Sequence, residues 1–236
     1  NVTIGGIATK ELQFISATQL TATTPEHYQP GDVSVIVTNP DGQQAKGTYT
    51  YNAIPTITSI SPLSGKLAGG TKITITGTGF IEQILDQRIK VKIGDVLVEE
   101  TEFSSETSLI ATTPMRTEPG TSLVTVTNPD NQQAEGTFTY NPLPIITSIF
   151  PGSGKLDGGT IITINGTGFI QEIPGVKAKL TVMIGDAVAE KMEFISANQL
   201  TAITPKRDQS GEVSVIITNP DGQQAEGKYN YNPPPT

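Results

Sequence analysis

The segment Thr38-Asn39-Pro40-Asp41-Gly42-Gln43-Gln44-Ala45 returns almost unchanged at Thr127 to Ala134 and at Thr218 to Ala225, so the chain is one unit written repeatedly. The steps are 89 and 91 residues (127 − 38 and 218 − 127). They are longer than the roughly 20 to 50 residues of helical solenoids and near the roughly 100 of a two-sheet β-sandwich. The repeat therefore divides the 236 residues into a partial unit at 1–52 and whole units at 53–141 and 142–232, with 233–236 reading as a linker or the start of a following unit. Only 35% of residues are hydrophobic and Trp is absent, as expected of narrow two-layer β domains joined by many turns.

The joints fall at Asn52-Ala53-Ile54-Pro55, Asn141-Pro142-Leu143-Pro144 and Asn232-Pro233-Pro234-Pro235, each after a strand ending in Tyr51, Tyr140 or Tyr231. They are short, proline-bearing and free of Gly/Ser runs, which predicts stiff extended connections and a rod of modules. Asn1-Val2-Thr3-Ile4-Gly5 aligns with Lys90-Val91-Lys92-Ile93-Gly94, so the first unit lacks its opening strands. Such a remnant bares half its core and leaves unpaired sheet edges. Completion by strands from outside the segment is expected, supplied upstream on the same polypeptide or by a neighbouring subunit.

Within the second unit, Lys72-Ile73-Thr74-Ile75-Thr76 alternates polar and apolar, placing Ile73 and Ile75 inward and Thr74 outward. Ile162 and Ile164 take the same places in the third unit, and Val35 with Val37, Val124 with Val126, and Val215 with Ile217 point inward by the same count. Further strands are predicted at Thr56–Ser61, Lys90–Ile93, Val96–Phe103, Leu109–Thr113 and Thr137–Tyr140, for seven short strands in all. Asn39-Pro40-Asp41-Gly42 and Asn219-Pro220-Asp221-Gly222 have the chemistry of a tight hairpin, with Asn131 in the glycine position of the second copy. Turn geometry, rather than ligand binding, is the expected role of this motif.

A family resemblance rests on Pro55-Thr56-Ile57-Thr58-Ser59-Ile60-Ser61-Pro62 with Ser64-Gly65, on Gly69-Gly70-Thr71, and on Ile75-Thr76-Gly77-Thr78-Gly79-Phe80. Pro144 to Pro151, Gly158-Gly159-Thr160 and Ile164-Asn165-Gly166-Thr167-Gly168-Phe169 repeat the pattern. The unit resembles an IPT/TIG domain. The resemblance implies an all-β chain of tandem immunoglobulin-like sandwiches, the first lacking its opening strands. Such domains occur in bacterial surface proteins, carbohydrate-active enzymes, plexin-type receptors and Rel-type transcription factors; tandem bacterial surface modules fit this chain best. A fold of this kind does not specify an activity.

The formal charge of −8, with no local Lys/Arg cluster, disfavours nucleic acid and anionic lipid heads as partners, and no apolar run suits membrane insertion. The absence of cysteine removes disulfides, thiolate metal sites and cysteine nucleophiles. His27 is the only histidine, so neither a Ser-His-Asp triad nor a multi-histidine metal centre can be built. Gly65 to Lys72 lacks phosphate-loop spacing, and Glu99, Glu100, Glu102 and Glu106 read as a solvated face rather than a metal site. No catalytic residue, cofactor or metal is expected, and the chain reads as a non-enzyme. Asn1-Val2-Thr3 and Asn165-Gly166-Thr167 fit the glycosylation sequon.

Contact candidates come from positions that vary between copies. Leu85 and Pro174 lie in the loop after Gly-Phe, where the third unit is longer. His27, Tyr28, Arg116 and Arg207 lie in the loop that runs from Pro25, Pro114 and Pro205. Loops at sandwich ends commonly carry recognition. Outward apolar residues Ile36, Leu123, Ile161 and Ile216 are candidates for an interface. Expected partners are neighbouring modules or other copies of the chain, with a surface glycan or protein ligand as a further class. The leading expectation is a stalk, fibre or filament outside a bacterial cell. The alternatives are an adhesive or carbohydrate-binding surface module and a non-catalytic spacer of a larger enzyme. Sparse exposed aromatics weigh against a carbohydrate platform.

Overall fold

The computed structural model describes residues 1–235, and every regular element among them is a strand. Val, Ile and Thr suit the pleated, half-buried positions of a sheet, and glycine and proline end each run after a few residues. The chain divides into two compact units, Asn1–Pro55 and Thr56 onward.

The first unit holds β1 (Val2–Ile4), β2 (Ile7–Ala8), β3 (Lys10–Ser16), β4 (Gln19–Thr23), β5 (Gly31–Thr38) and β6 (Gln44–Tyr51). They form a sheet of order β2-β1-β5-β6 and a separate β3-β4 pair.

The second unit opens with β7 (Thr56–Ser61), β8 (Ser64–Lys66), β9 (Lys72–Thr78), β10 (Gln83–Ile84), β11 (Gln87–Arg88), β12 (Lys90–Ile93), β13 (Val96–Leu97), β14 (Thr101–Ser105), β15 (Ser108–Thr112), β16 (Gly120–Thr127) and β17 (Gln133–Asn141). Sheets β14-β15-β9-β7 and β13-β12-β16-β17-β8 make one sandwich, with β10-β11 as a small hairpin outside them. It continues with β18 (Ile145–Phe150), β19 (Ser153–Lys155), β20 (Ile161–Thr167), β21 (Thr181–Ile184), β22 (Ala187–Val188), β23 (Lys191–Ser196), β24 (Gln199–Ile203), β25 (Gly211–Thr218) and β26 (Gln224–Asn232). These strands repeat the topology as β18-β20-β24-β23 and β19-β26-β25-β21-β22.

The two sandwiches have separate cores. Ile73, Ile75, Leu109, Val124, Val126 and Phe138 are completely buried in one, and Ile162, Ile164, Leu200, Val215 and Ile217 in the other. These include the inward positions read from the alternation. In the first unit nothing corresponds to β7, β8 and β9, the strands that complete both sheets of the later copies. Leu20, the counterpart of buried Leu109 and Leu200, is 38% exposed, and Phe14 is 74% exposed.

The single strand expected over Val96–Phe103 is two strands in different sheets, β13 and β14. Alternation reports which side chains face the core, and Val98 does, at 7% exposure. It does not report which ladder the backbone joins, and the chain crosses between sheets at Glu99-Glu100.

Gly77 and Gly166 are required by close backbone approach. A Cβ on Gly77 would overlap the Thr56 carbonyl oxygen and press on the Phe80 ring, and one on Gly166 would meet the Ile145 carbonyl and Phe169. Both sit where the pairing of the opening strand shifts register. Gly77→Ala is expected to destabilise the second sandwich by about 2 kcal/mol or more in urea unfolding; parental stability would contradict this close packing.

Candidate functional site

A built polar cluster lies where the sandwich of β7 to β17 meets that of β18 to β26. Strand β17 ends at Asn141 and passes into Pro142-Leu143-Pro144, whose prolines fix φ and hold Leu143 extended. The hairpin between β25 and β26, Asn219-Pro220-Asp221-Gly222-Gln223, receives that joint. Its geometry is set locally: Gly222 adopts φ 85°, Asn219 N donates to Gln223 O at 2.9 Å, and the Asp221 carboxylate accepts from Gln223 N at 3.1 Å.

Each polar residue of the hairpin then serves a different neighbour. Asn219 faces its own sandwich, donating from Nδ2 to Gly168 O at 2.7 Å and accepting from Ile170 N at 3.1 Å, so it pins the loop after β20. Asp221 faces the preceding sandwich and accepts from Asn141 Nδ2 at 2.8 Å. Gln223 is the bridge. Its Nε2 donates to Pro142 O at 3.2 Å and Asn141 O at 3.4 Å, and its Oε1 accepts from Leu67 N at 3.4 Å. The same Nε2 lies 3.0 Å from the Asp221 carboxylate, which holds the amide in place. Gln223 and Asn141 are 7% and 6% exposed, so these bonds operate largely out of water, each contributing about 1 kcal/mol net. We call this arrangement the clasp.

A second contact joins the same two sandwiches. Gly175, in the longer loop of the third unit, lies against the Ser61 side chain and Pro62 of the second. Neighbouring Pro174 is exposed and belongs to this junction loop. Leu85, in the corresponding loop of the second sandwich, is 87% exposed at the tip of the β10-β11 hairpin, with φ 52°.

The other loop candidates form a different, repeated device. Tyr140 OH donates to Pro114 O, and Tyr231 OH to Pro205 O, both at 2.8 Å; Tyr51 OH donates to Pro25 O at 2.7 Å. Each bond ties the last strand of a copy to the loop before β16, β25 or β5. His27 stacks on Tyr51 with centroids 4.7 Å apart, and Arg116 lies over the Tyr140 ring at 5.9 Å while donating to Ser122 Oγ. Arg207 and Tyr231 line one cleft, and the guanidinium acts electrostatically on the phenol. His27 and Arg116 therefore cover the closing tyrosines of their own copies, whereas Tyr28 projects into solvent at 90% exposure.

The interface candidates lie on different strands. Ile36 and Ile216 sit half-buried on β5 and β25 opposite Lys46 and Glu226, and Leu123 lies on β16 opposite Thr137. Ile161 belongs to the other sheet of its sandwich, opposite Ile203. A polar cleft of about 340 Å³ opens near Arg207, lined by Asp186, Lys206, Asp208 and Tyr231. Among the described residues no three His, Cys, Asp or Glu side chains converge as a metal-ligating group.

With this geometry in hand, the sequence matches the family model for the IPT/TIG domain over residues 1–52, 55–141 and 144–232. The chain belongs to the IPT/TIG family. It is similar to Plexin-B1 of Homo sapiens, 28% identical over 198 residues, covering 80% of this chain and 9% of that protein. It is also similar to Fibrocystin-L of Mus musculus, 28% identical over 192 residues, covering 78% of this chain and 4% of that protein. The chain thus spans less than a tenth of these relatives. A solved extracellular region of Plexin A4 aligns with a TM-score of 0.48 and 15% identity, covering 94% of this chain and 29% of that one.

Sequence reasoning missed the clasp. Its signal was present in the Gln that follows every copy of the turn, Gln43, Gln132 and Gln223, because a hairpin needs Asn, Pro and Gly but has no requirement for glutamine there.

Burial pushes the Tyr140 and Tyr231 phenols above their ordinary value of 10.0, against smaller opposing effects of the Thr113 or Thr204 hydroxyl and Arg116 or Arg207. Up to about pH 9 both the folded and unfolded chains keep these protons. As pH rises beyond about 10 the unfolded chain ionises first, so stability falls until the folded-state values are reached. Urea midpoints measured across this range should decline, and Tyr140→Phe should lessen the decline while costing about 1 kcal/mol at neutral pH through the orphaned Pro114 carbonyl. An unchanged slope in the variant would contradict the burial of this phenol.

Proposed function

We propose that this chain is a non-enzymatic structural array whose immunoglobulin-like modules stand end to end as part of an extracellular stalk, fibre or filament. The clasp between Asn141 and the Asp221–Gln223 turn supports this reading most. A passive linker needs no buried side chain bridging both partners, whereas an element that carries load gains from a joint with little slack. Prolines at 142 and 144 narrow the backbone freedom, and the clasp removes much of the remaining swivel. An extracellular setting and a bacterial source are expectations carried by the family resemblance.

The absence of native cysteine allows spin labels to be placed at Ser105→Cys and Ser196→Cys, on exposed strand ends of the two sandwiches. A narrow label-to-label distance distribution is expected for the parent, broadening in Asn141→Ala with Gln223→Ala while each sandwich keeps its unfolding midpoint. An equally narrow distribution in the double variant would remove the clasp from the mechanism.

The cleft beside Arg207 favours a second reading, an adhesive or carbohydrate-binding surface. It combines Lys206 and Arg207 with Asp186 and Asp208 around Tyr231, a polar lining suited to hydroxylated or charged ligands. Binding on a glycan array that is lost with Arg207→Ala would support this reading, and no binding by the parent chain would remove it.

A further inference from the structure

Lys206-Arg207 is the only pair of adjacent basic residues in the sequence, and it stands where the second unit has Met115-Arg116. The two arginines are used differently. Arg116 donates from Nη1 to Ser122 Oγ and, at 3.5 Å, to Thr121 O. In the third unit Val213 on β25 takes the place of that serine and offers no side-chain acceptor. Among the described residues the Arg207 guanidinium makes no hydrogen bond or ion pair. A guanidinium is a planar fork of N–H donors that keeps its charge, so this half-buried group is an open fork.

The surroundings fix where the fork sits. Arg207 N donates to Leu156 O at 2.8 Å, and Gly185, at φ 61°, makes room for the guanidinium, since a Cβ there would overlap Arg207 Nη1. The cleft it lines measures about 340 Å³, near the lower bound of the roughly 300–1,000 Å³ of small-molecule sites. Buried Ile184 and Tyr231 form part of its wall, with Lys206, Asp186 and Asp208 as its other charged groups. The side chains of Lys206, Asp186 and Asp208 likewise have no hydrogen bond or ion pair among the described residues. A sandwich seated at this end does not cover the place. With the third sandwich in position on the second, Met115 is 72% exposed and Arg116 is exposed beside it.

This lining selects one class of ligand. A compact anion such as phosphate would face Asp186 and Asp208 as well as the two cations, and a neutral sugar would leave the guanidinium without a charged acceptor. A carboxylate matches the guanidinium as a two-bond acceptor, and sugar hydroxyls donate to carboxylates. We propose that the cleft between Asp186 and Arg207 binds a hexuronate residue of an acidic glycan, with its carboxylate on the Arg207 fork beside Lys206 and its hydroxyls donating to Asp186 and Asp208. A fork already positioned and free of other acceptors lowers the ordering cost of binding. The proposal rests on the carbohydrate-binding reading and deepens it by naming the sugar class.

NMR titration of the full chain with the methyl glycosides of glucuronate and galacturonate, set against methyl glucoside and acetate, tests it. A uronate is expected to shift the amide signals of residues 185–187 and 206–209, while methyl glucoside and acetate, each carrying half of the recognition, bind about tenfold or more weakly. Arg207→Gln is expected to weaken uronate binding about tenfold or more. Val213→Ser supplies the acceptor that occupies Arg116 in the second sandwich, so it should weaken binding severalfold with every charge of the cleft retained; urea midpoints check that both variants fold. Uronate affinity that both variants retain would overturn the proposal. So would a parent chain that responds to neither uronate at about ten millimolar, and the glycan array then decides the broader reading by itself. Equal binding of methyl glucoside would overturn the uronate assignment and leave a carbohydrate-binding surface standing, whereas equal binding of acetate would overturn it in favour of a site for small anions.

Discussion

The carboxamide of Gln223 holds the strongest position in the joint because it is a donor and an acceptor at once. One end reaches the carbonyls of Asn141 and Pro142, the other accepts from Leu67, and Asp221 fixes the amide between them. A hydrophobic contact of the same area would allow sliding, since apolar attraction has no direction. Hydrogen bonds to two segments of the preceding sandwich specify an orientation. The stiffness proposed for the array thus depends on a polar side chain that is nearly excluded from water and has its bonding capacity met.

One short turn serves three purposes because its residues point three ways. Gly222 closes the hairpin, Asn219 turns back to hold the Gly168–Ile170 loop, and Asp221 with Gln223 turns outward to the neighbour. The Asn128 copy repeats the inward role, with Nδ2 donating to Gly79 O at 2.7 Å and Oδ1 accepting from Ile81 N at 3.2 Å. Fold and assembly are therefore encoded in the same few residues, and a substitution there acts on both.

Much of the fold was legible in the sequence because a strand with one buried face alternates with period two. Ile73, Ile75, Val124 and Val126 follow that pattern, and all are completely buried. The division of Val96–Phe103 between two sheets was not legible, since alternation carries no information on hydrogen-bonding partners across the sandwich. The loop candidates were read by variability alone. His27 in one copy and Arg116 in another differ in type, yet each lies against the tyrosine that closes its own copy. The clasp was obscured for the opposite reason: its residues barely vary, and invariance was credited to the turn they also form.

The claim that most needs a direct test is that the two complete sandwiches move as one body in solution. Residual dipolar couplings of the backbone amides of the full chain, measured in one aligning medium, report an alignment tensor separately for residues 56–141 and 145–232. The clasp predicts tensors of equal magnitude and common orientation in the frame of the structure. Tensors of clearly different magnitude would mean that the sandwiches reorient independently about Pro142 and Pro144, and would contradict the account.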